Sequence, residues 1–201
     1  MILAGHFEKI QKLDPSITEA DFRVRKAYEP TPIKLEDALK LDDTYRHVAH
    51  CFLYYGTEDK VYGLMQMRED GKLGFPGGTV EGRPKSPRDI VNALNRELEE
   101  EINYKGNIEP DSRVMSHLHL TPKGNGVTHF FMKRVSEDEF RKIEKEHMEA
   151  RDFPKESLGI FRVPIYSDEP KFLANFAQNN FLANFLDYLL EAIDIIKSSN
   201  N

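Results

Sequence analysis

The stretch from Ser86 to Asn103 constrains the fold most, because the sequence specifies both of its ends and its buried face. Ser86 is a suitable N-cap, Pro87 fits the first helical position, and Asn103 tolerates the left-handed conformation that ends many helices. Between these ends an apolar residue recurs at every fourth position, namely Ile90, Leu94, Leu98 and Ile102. The spacing therefore predicts a helix with one face packed on a core.

Several apolar segments around this helix predict a sheet. Residues 47–55 are apolar on both faces, as in a central strand, and residues 61–67 read as a partner strand that ends before a turn at Asp70-Gly71. The other predicted strands are 114–120, 127–135 and 159–165, and the other predicted helices are 33–41, 136–150 and 180–197. Strands with helices on both sides predict an α/β/α sandwich with a mixed β-sheet.

The length and composition fit one domain with a short extension. The chain has 201 residues, of which 39% are hydrophobic, enough for one core. Residues 1–45 are broken by prolines and contain no recognisable chemistry, so we predict an N-terminal extension over 1–45 and a domain over 46–198. The single cysteine, Cys51, favours a reducing intracellular compartment. No apolar run is long enough to span a bilayer, so we expect no membrane partner.

The net charge of -6 argues against a protein that holds nucleic acid through a broad basic surface. Any RNA partner would have to be held by local basic patches or at one end of the RNA. An acidic protein that handles phosphates also needs bound cations to tolerate its substrate.

Three glutamates lie close together on the predicted helix. Glu97, Glu100 and Glu101 occupy neighbouring positions, because side chains three and four residues apart meet on one helix face. Like charges at this spacing destabilise a helix unless a cation neutralises them, and carboxylate oxygens suit Mg²⁺ or Mn²⁺. Glu99 points away and is expected to be solvated. Taken alone, an acidic run of this kind is more often a solvated face than a metal site.

The surrounding residues resemble the Nudix box. Residues 74–81 read GFPGGTVE and residues 96–101 read RELEEE, which is similar to the Gly-Gly loop and the helical Arg-Glu-x-x-Glu-Glu of Nudix hydrolases. The resemblance implies the α/β/α Nudix sandwich and metal-dependent hydrolysis of a pyrophosphate linkage. By position it assigns metal ligands to Glu97, Glu100, Glu101 and the carbonyl of Gly77, with Glu97, Glu101 and the orienting Arg96 as the catalytic residues.

Three features depart from the box. Pro84 stands where the family has a further glutamate, and the stretch from Gly78 to Arg96 is about four residues longer than usual. The usual glycine after the glutamates is replaced near Asn103. The first departure removes a supporting carboxylate and none of the three central ones.

Segments within the box and outside it together look like the U8 small nucleolar RNA decapping subfamily. They are residues 46–51, 64–68, 71–78, 94–98 and 161–166, and the resemblance runs from about 46 to about 195. It implies that the substrate is the 5′ cap of RNA or a purine nucleoside diphosphate such as inosine diphosphate. It also implies two or more Mg²⁺ or Mn²⁺ ions, a homodimer, and a location in the nucleus, the nucleolus or the cytoplasm.

The same resemblance assigns five further site residues. It implies that His50, Arg68 and Phe75 bind the substrate, and that His117 and Glu191 contribute to the metal site. Each has a plainer alternative. His50 and Phe75 are typical of core positions, and Arg68 and Glu191 of surface positions. His119 and His129 compete with His117 for its role.

Two functions follow from these observations. The first is an enzyme that acts on capped RNA or nucleoside diphosphates. The alternative is a catalytically weak or silent RNA-binding or scaffold protein of the same fold, because one relative of the subfamily lacks the box glutamates. All three glutamates are present here, which favours the enzyme. The sequence does not rank capped RNA, inosine diphosphate and ADP-ribose.

Overall fold

A computed structural model describes residues 4–13, 15, 30–57, 60–121, 124–165 and 171–199. The strands are β1 Thr31–Pro32, β2 Tyr45–Thr57, β3 Lys60–Arg68, β4 Leu73–Gly74, β5 Gly77–Thr79, β6 Arg113–Thr121, β7 Gly124–Arg134 and β8 Ser157–Pro164. The helices are α1 Ala4–Leu13, α2 Leu35–Ala38, α3 Pro87–Ile102, α4 Glu137–Glu146, α5 Phe172–Phe176 and α6 Phe185–Ser199. Short 3₁₀ turns lie at Pro110–Ser112 and His147–Glu149. No helix in these ranges is long and apolar enough to cross a membrane.

The strands form one mixed sheet with β2 near its centre. Its order is β1-β6-β7-β2-β3-β4, with β5 paired to β2 and β8 paired to β3. Strands β2 and β7 are parallel, and the other pairs are antiparallel. The predicted mixed sheet of an α/β/α sandwich is confirmed, and the run apolar on both faces is its central strand.

Alternation along β2 divides the core into two layers. Phe52 joins the layer under α6, whereas Ala49, Cys51 and Leu53 join the layer under α3. Successive side chains of a strand point to opposite faces, so a strand that is apolar at consecutive positions must be covered on both sides.

The ends of α3 follow the local sequence. The Ser86 side chain accepts from the backbone N–H of Asp89, and the Asp89 side chain accepts from the N–H of Ser86, which forms a capping box. Asn103 ends the helix in the left-handed conformation with φ 55°. The start and the end that the sequence predicted for this helix are confirmed.

The C-terminal helix begins later than predicted. The backbone around Phe181 is extended because it pairs with β4: Leu73 donates to the carbonyl of Asn180 at 2.8 Å, and Leu182 donates to that of Leu73 at 2.9 Å. Because of these contacts, α6 begins only at Phe185. The short helix α5 was not predicted.

The described parts of residues 1–45 pack on the domain. Ile10 of α1 is fully buried in the layer under α6, and Lys12 forms an ion pair with Asp194 at 3.1 Å. Strand β1 pairs with β6, with Thr31 opposite Leu118. The division at residue 45 stays a prediction, and the described part of the extension contributes to the core.

Candidate active site

Glu101 is a buried carboxylate at the end of α3. Its exposed fraction is 2%, and its Oε2 atom accepts from the backbone N–H of Gly77 at 2.7 Å and from the Gln66 side-chain amide at 3.0 Å. Burial raises the pKa of Glu101 to about 7, and the two hydrogen bonds oppose that rise. Strand β3, strand β5 and helix α3 therefore meet at this carboxylate.

Arg96 joins the other two predicted metal ligands. Its guanidinium lies 2.8 Å from Oε1 of Glu97 and 2.7 Å from Oε2 of Glu100, and it donates to the carbonyl of Thr79 at 3.3 Å. Burial raises the pKa of Glu97, and the Arg96 charge opposes that rise. Arg96 thus contacts two of the three predicted ligands, and the orienting role that the resemblance gave to it stays a prediction. Glu99 is exposed, as predicted.

The two glycines before α3 have a steric reason. A Cβ atom on Gly78 would lie 2.5 Å from Oε2 of Glu97, so a side chain there would displace this carboxylate. Gly77 has φ 129° and a Cβ would meet the carbonyl oxygen of Ala49 at 2.2 Å. The Gly-Gly pair thus lets the loop approach both β2 and Glu97.

The donor chemistry of this cluster fits a divalent cation. Glu97, Glu100 and Glu101 bring carboxylate oxygens to one part-buried place, and the buried Oε1 of Gln66 has no hydrogen-bond partner. Within the described ranges, however, no three His, Cys, Asp or Glu side chains are arranged to hold a metal ion. Arg151 contacts Oε1 of Glu100 at 2.6 Å and Arg96 contacts Oε2 at 2.7 Å, so each oxygen of this carboxylate has an arginine partner.

His50 is buried on the α6 side of strand β2 and is uncharged. Its Nδ1 is 3.2 Å from the carbonyl of Phe75, which only accepts, so Nδ1 carries the proton. Burial lowers the pKa of His50 to about 3. Its ring packs edge-on against Phe185 at 4.7 Å.

Phe75 is a core residue in this structure. Its exposed fraction is 1%, and its ring lies 5.0–5.3 Å from the rings of Phe52, Phe130 and Phe185. Its ring is enclosed and presents no open face for a purine. Phe75 therefore occupies the core position that was the alternative in the sequence analysis, and its substrate-binding role stays a prediction.

Arg68 is positioned between the predicted groups. Its Nε is 3.4 Å from Oδ1 of Asp70. Its aliphatic stem packs beside Gly74, since a Cβ atom on Gly74 would lie 3.0 Å from Cδ of Arg68. The Arg68 charge acts to lower the pKa of both Glu101 and His50. The Arg68 side chain is only partly exposed.

His117 of β6 packs against α6, and Glu191 belongs to α6. The His117 ring stacks on Tyr188 at 5.3 Å, and burial lowers its pKa while the charges of Asp187 and Glu191 oppose this. Tyr188 belongs to the layer under α6, across the sheet from the layer under α3. The structure brings this pair together, and its role toward the metals stays a prediction.

One of the two competing histidines, His129, belongs to a separate buried chain of side chains. His129 contacts Nδ1 of His47 at 2.9 Å and the hydroxyl of Ser116 at 2.8 Å. Burial lowers the pKa of His129 to about 3. His129 is therefore a satisfied core histidine.

Two residues of the cluster were missed by the sequence analysis. Gln66 is the one amide in a predicted apolar strand. Because buried polar groups generally have hydrogen-bond partners, this position could have indicated a polar partner nearby. Arg151 follows α4 and gave no local signal, because only the packing of its turn on α3 brings it to Glu100.

The fold belongs to the Nudix class. The Nudix domain of Shewanella oneidensis NrtR, complexed with ADP ribose, superposes with a TM-score of 0.53 at 16% identity, covering 82% of this chain and 99% of that one. A MutT/nudix family protein from Enterococcus faecalis superposes with a TM-score of 0.52 at 14% identity, covering 98% of this chain and 76% of that one.

Sequence similarity then defines the family. Residues 47–197 match the Nudt16-like family, described as U8 snoRNA-decapping enzyme-like. The U8 snoRNA-decapping enzyme of Mus musculus is 35% identical, covering 82% of this chain and 89% of the mouse protein. The Tudor-interacting repair regulator protein of Mus musculus is 32% identical, covering 82% and 80%. The chain belongs to the Nudt16-like family of Nudix proteins, which confirms the resemblance.

Proposed function

We propose that this chain hydrolyses a phosphoric anhydride bond, either in the 5′ cap of an RNA or in a purine nucleoside diphosphate such as inosine diphosphate. The observation that supports this most is the buried Glu101 carboxylate beside Glu97, with its pKa raised to about 7. Burying a carboxylate weakens a fold unless its charge is compensated, whereas strongly perturbed acids are common at catalytic sites. The names of the decapping relatives point to the same chemistry.

Glu97, Glu100 and Glu101 would hold Mg²⁺ or Mn²⁺, with two or more ions in total. Such ions neutralise a diphosphate and activate water for attack on it. Arg96 orients Glu97 and Glu100 through its two ion pairs. Glu101, held by the donors of Gly77 and Gln66, is the carboxylate suited to accept a proton near neutral pH.

The substrate would lie beside Arg68 and His50. A guanidinium binds phosphate oxygens through paired N–H donors, and a neutral histidine donates or accepts without adding charge. Stacking of a purine on Phe75 would require movement of Phe185, which packs on its ring. Roles for the Gly77 carbonyl, His117 and Glu191 as metal ligands are part of the same proposal. The products are a nucleotide with one phosphate fewer, or a released cap nucleotide and a 5′-phosphorylated RNA.

A silent RNA-binding or scaffold protein is the second candidate. The similarity to Tudor-interacting repair regulator proteins favours it, since these relatives are named for an interaction and not for catalysis. The arginines that pair with Glu100 would satisfy such a protein without a metal. The three box glutamates favour the enzyme instead.

The experiment that separates these functions is a substrate panel. Capped RNA, inosine diphosphate and ADP-ribose are each incubated with the protein and Mn²⁺ or Mg²⁺, and the products are identified by mass spectrometry. We expect hydrolysis of capped RNA or the diphosphate, and none with EDTA. Turnover that continues in EDTA, or no turnover of either substrate, would contradict the proposal.

We also propose a homodimer and an intracellular location in the nucleus, the nucleolus or the cytoplasm. Both rest on membership of the family. The single, buried Cys51 supports only the location, because it suits a reducing compartment.

A further inference from the structure

Glu100 is held by two arginines, one on each carboxylate oxygen. Arg96 of the same helix contacts Oε2 at 2.7 Å, and Arg151 contacts Oε1 at 2.6 Å. Arg151 belongs to the turn before β8, far from Glu100 along the chain. Its turn is fixed to the end of α3 because the backbone N–H of Asp152 donates to the carbonyl of Glu100 at 2.9 Å.

The two arginines differ in how firmly they are held. Arg96 also contacts Glu97 and the carbonyl of Thr79, so it is built into the cluster. The Arg151 side chain is 67% exposed, and its second partner is the neighbouring Asp152 at 3.1 Å. An ion pair of such an exposed side chain contributes little free energy. Of the two arginines, Arg151 is therefore the more weakly held partner of Glu100.

We propose that Arg151 is a substrate-binding residue that occupies the metal-binding oxygen of Glu100 until a divalent cation arrives. In the cation-free protein its guanidinium neutralises Glu100 in place of the ion. When the cation takes that oxygen, the guanidinium is released beside the cluster, because the Asp152 backbone contact keeps its turn on α3. There it donates to the phosphate oxygens of the diphosphate group.

The chemistry of the two partners supports this exchange. A guanidinium forms paired hydrogen bonds to carboxylate and to phosphate with similar geometry, so the same side chain serves both. A diphosphate that shares its cation with Glu100 must lie within a few ångströms of that carboxylate, on the order of a metal–oxygen bond on each side. The released guanidinium of Arg151 starts from contact with the same carboxylate. This inference rests on the proposed function, since it presumes a diphosphate substrate and a divalent cation.

The proposal predicts two effects of opposite sign for Arg151→Gln. Removing the competing cation should tighten Mn²⁺ binding by roughly 2- to 5-fold, the usual value of an exposed ion pair. Removing the phosphate donor should weaken binding of a non-hydrolysable nucleoside diphosphate, at saturating Mn²⁺, by roughly 10-fold. Both are measured by calorimetry, first with Mn²⁺ alone and then with α,β-methylene-ADP.

Two variants serve as references. Arg141→Gln removes a similarly exposed arginine whose partner is Glu137, and it should match the parent in both titrations. Arg151→Lys retains the charge but not the planar fork, so it should bind Mn²⁺ like the parent and the analogue more weakly than the parent.

The outcomes separate this proposal from the proposed function. If Arg151→Gln binds Mn²⁺ no more tightly than the parent, or binds the analogue equally well, the role of Arg151 is overturned while a parent that hydrolyses its substrate keeps its function. A parent that binds no Mn²⁺ and hydrolyses neither substrate overturns both. Opposite shifts in Arg151→Gln, absent from Arg141→Gln, support the assignment.

Discussion

The backbone N–H of Gly77 donates to the carboxylate of Glu101 at 2.7 Å. This hydrogen bond couples the loop before α3 to the last turn of α3, although the two residues lie at opposite ends of the Nudix box. The same loop approaches Glu97 through Gly78. The position of the loop therefore determines where two of the three glutamates point.

Neutralising a box glutamate should abolish most of the activity without unfolding the protein. We expect Glu97→Gln or Glu101→Gln to lower kcat by ~100-fold or more, about 2.7 kcal/mol, because the transition state is dominated by charge. Kinetics with Mn²⁺ and inosine diphosphate or capped RNA provide the measurement. The exposed Glu99→Gln is the control and should lose less than about threefold. If all three variants had the same turnover as the parent, the box glutamates would have no catalytic role, which would favour the scaffold function.

A methyl group on Gly78 should displace Glu97. The Cβ of Gly78→Ala would lie 2.5 Å from Oε2 of Glu97, so this carboxylate must move. Misplacement of a catalytic group by about 1 Å costs up to ~100-fold in rate, and we expect a loss of at least about 10-fold in kcat. The melting temperature should change little, because the clash involves the end of a flexible side chain. Full activity in Gly78→Ala would show that the position of Glu97 is not critical.

The pKa of Glu101 should make the metal-free protein less stable as the pH rises. Its ordinary value of 4.5 is raised to about 7 by burial, so the folded protein binds the proton more tightly than the unfolded chain. The resulting stabilisation is complete below 4.5 and is lost as the pH rises through about 7. Urea unfolding in EDTA at several pH values from about 5 to 8 should show this loss in the parent, relative to Glu101→Gln. Parallel profiles in the two proteins would contradict the prediction.

We expect Phe75 to contribute mainly to the stability of the fold. Its ring is enclosed by Phe52, Phe130 and Phe185, so Phe75→Ala leaves a cavity and should lower the free energy of unfolding by about 3–5 kcal/mol. Denaturant unfolding measures this loss. Phe75→Leu preserves more of the volume and tests the purine pocket in a folded protein. A nucleotide affinity weakened by about 1–3 kcal/mol in Phe75→Leu would support stacking, and an unchanged affinity would assign Phe75 to the core alone.

The proposed homodimer is tested by light scattering. The chain has a mass of 23.3 kDa, so we expect a species of about twice that mass at micromolar concentration. A species with the mass of one chain across that concentration range would contradict the dimer.

The sequence by itself determined the elements whose signals are local. Ser86, Pro87 and Asn103 set the ends of α3, and its apolar stripe set the buried face, because capping and helical periodicity depend on neighbours within a few residues. The same periodicity placed Glu97, Glu100 and Glu101 together on one side of the helix. The Gly-Gly pair was readable from the box resemblance, and the structure supplied its steric reason.

Only the tertiary structure decided what each side chain contacts. The enclosure of Phe75, the donor from Gln66 to Glu101 and the arrival of Arg151 at Glu100 join elements that are distant in sequence. Packing also placed Ile10 of the extension in the core and extended the backbone near Phe181. Such contacts depend on how the sheet and helices assemble, and no pattern of neighbouring residues encodes them, because a buried polar or aromatic group takes its role from the partners that the fold brings to it.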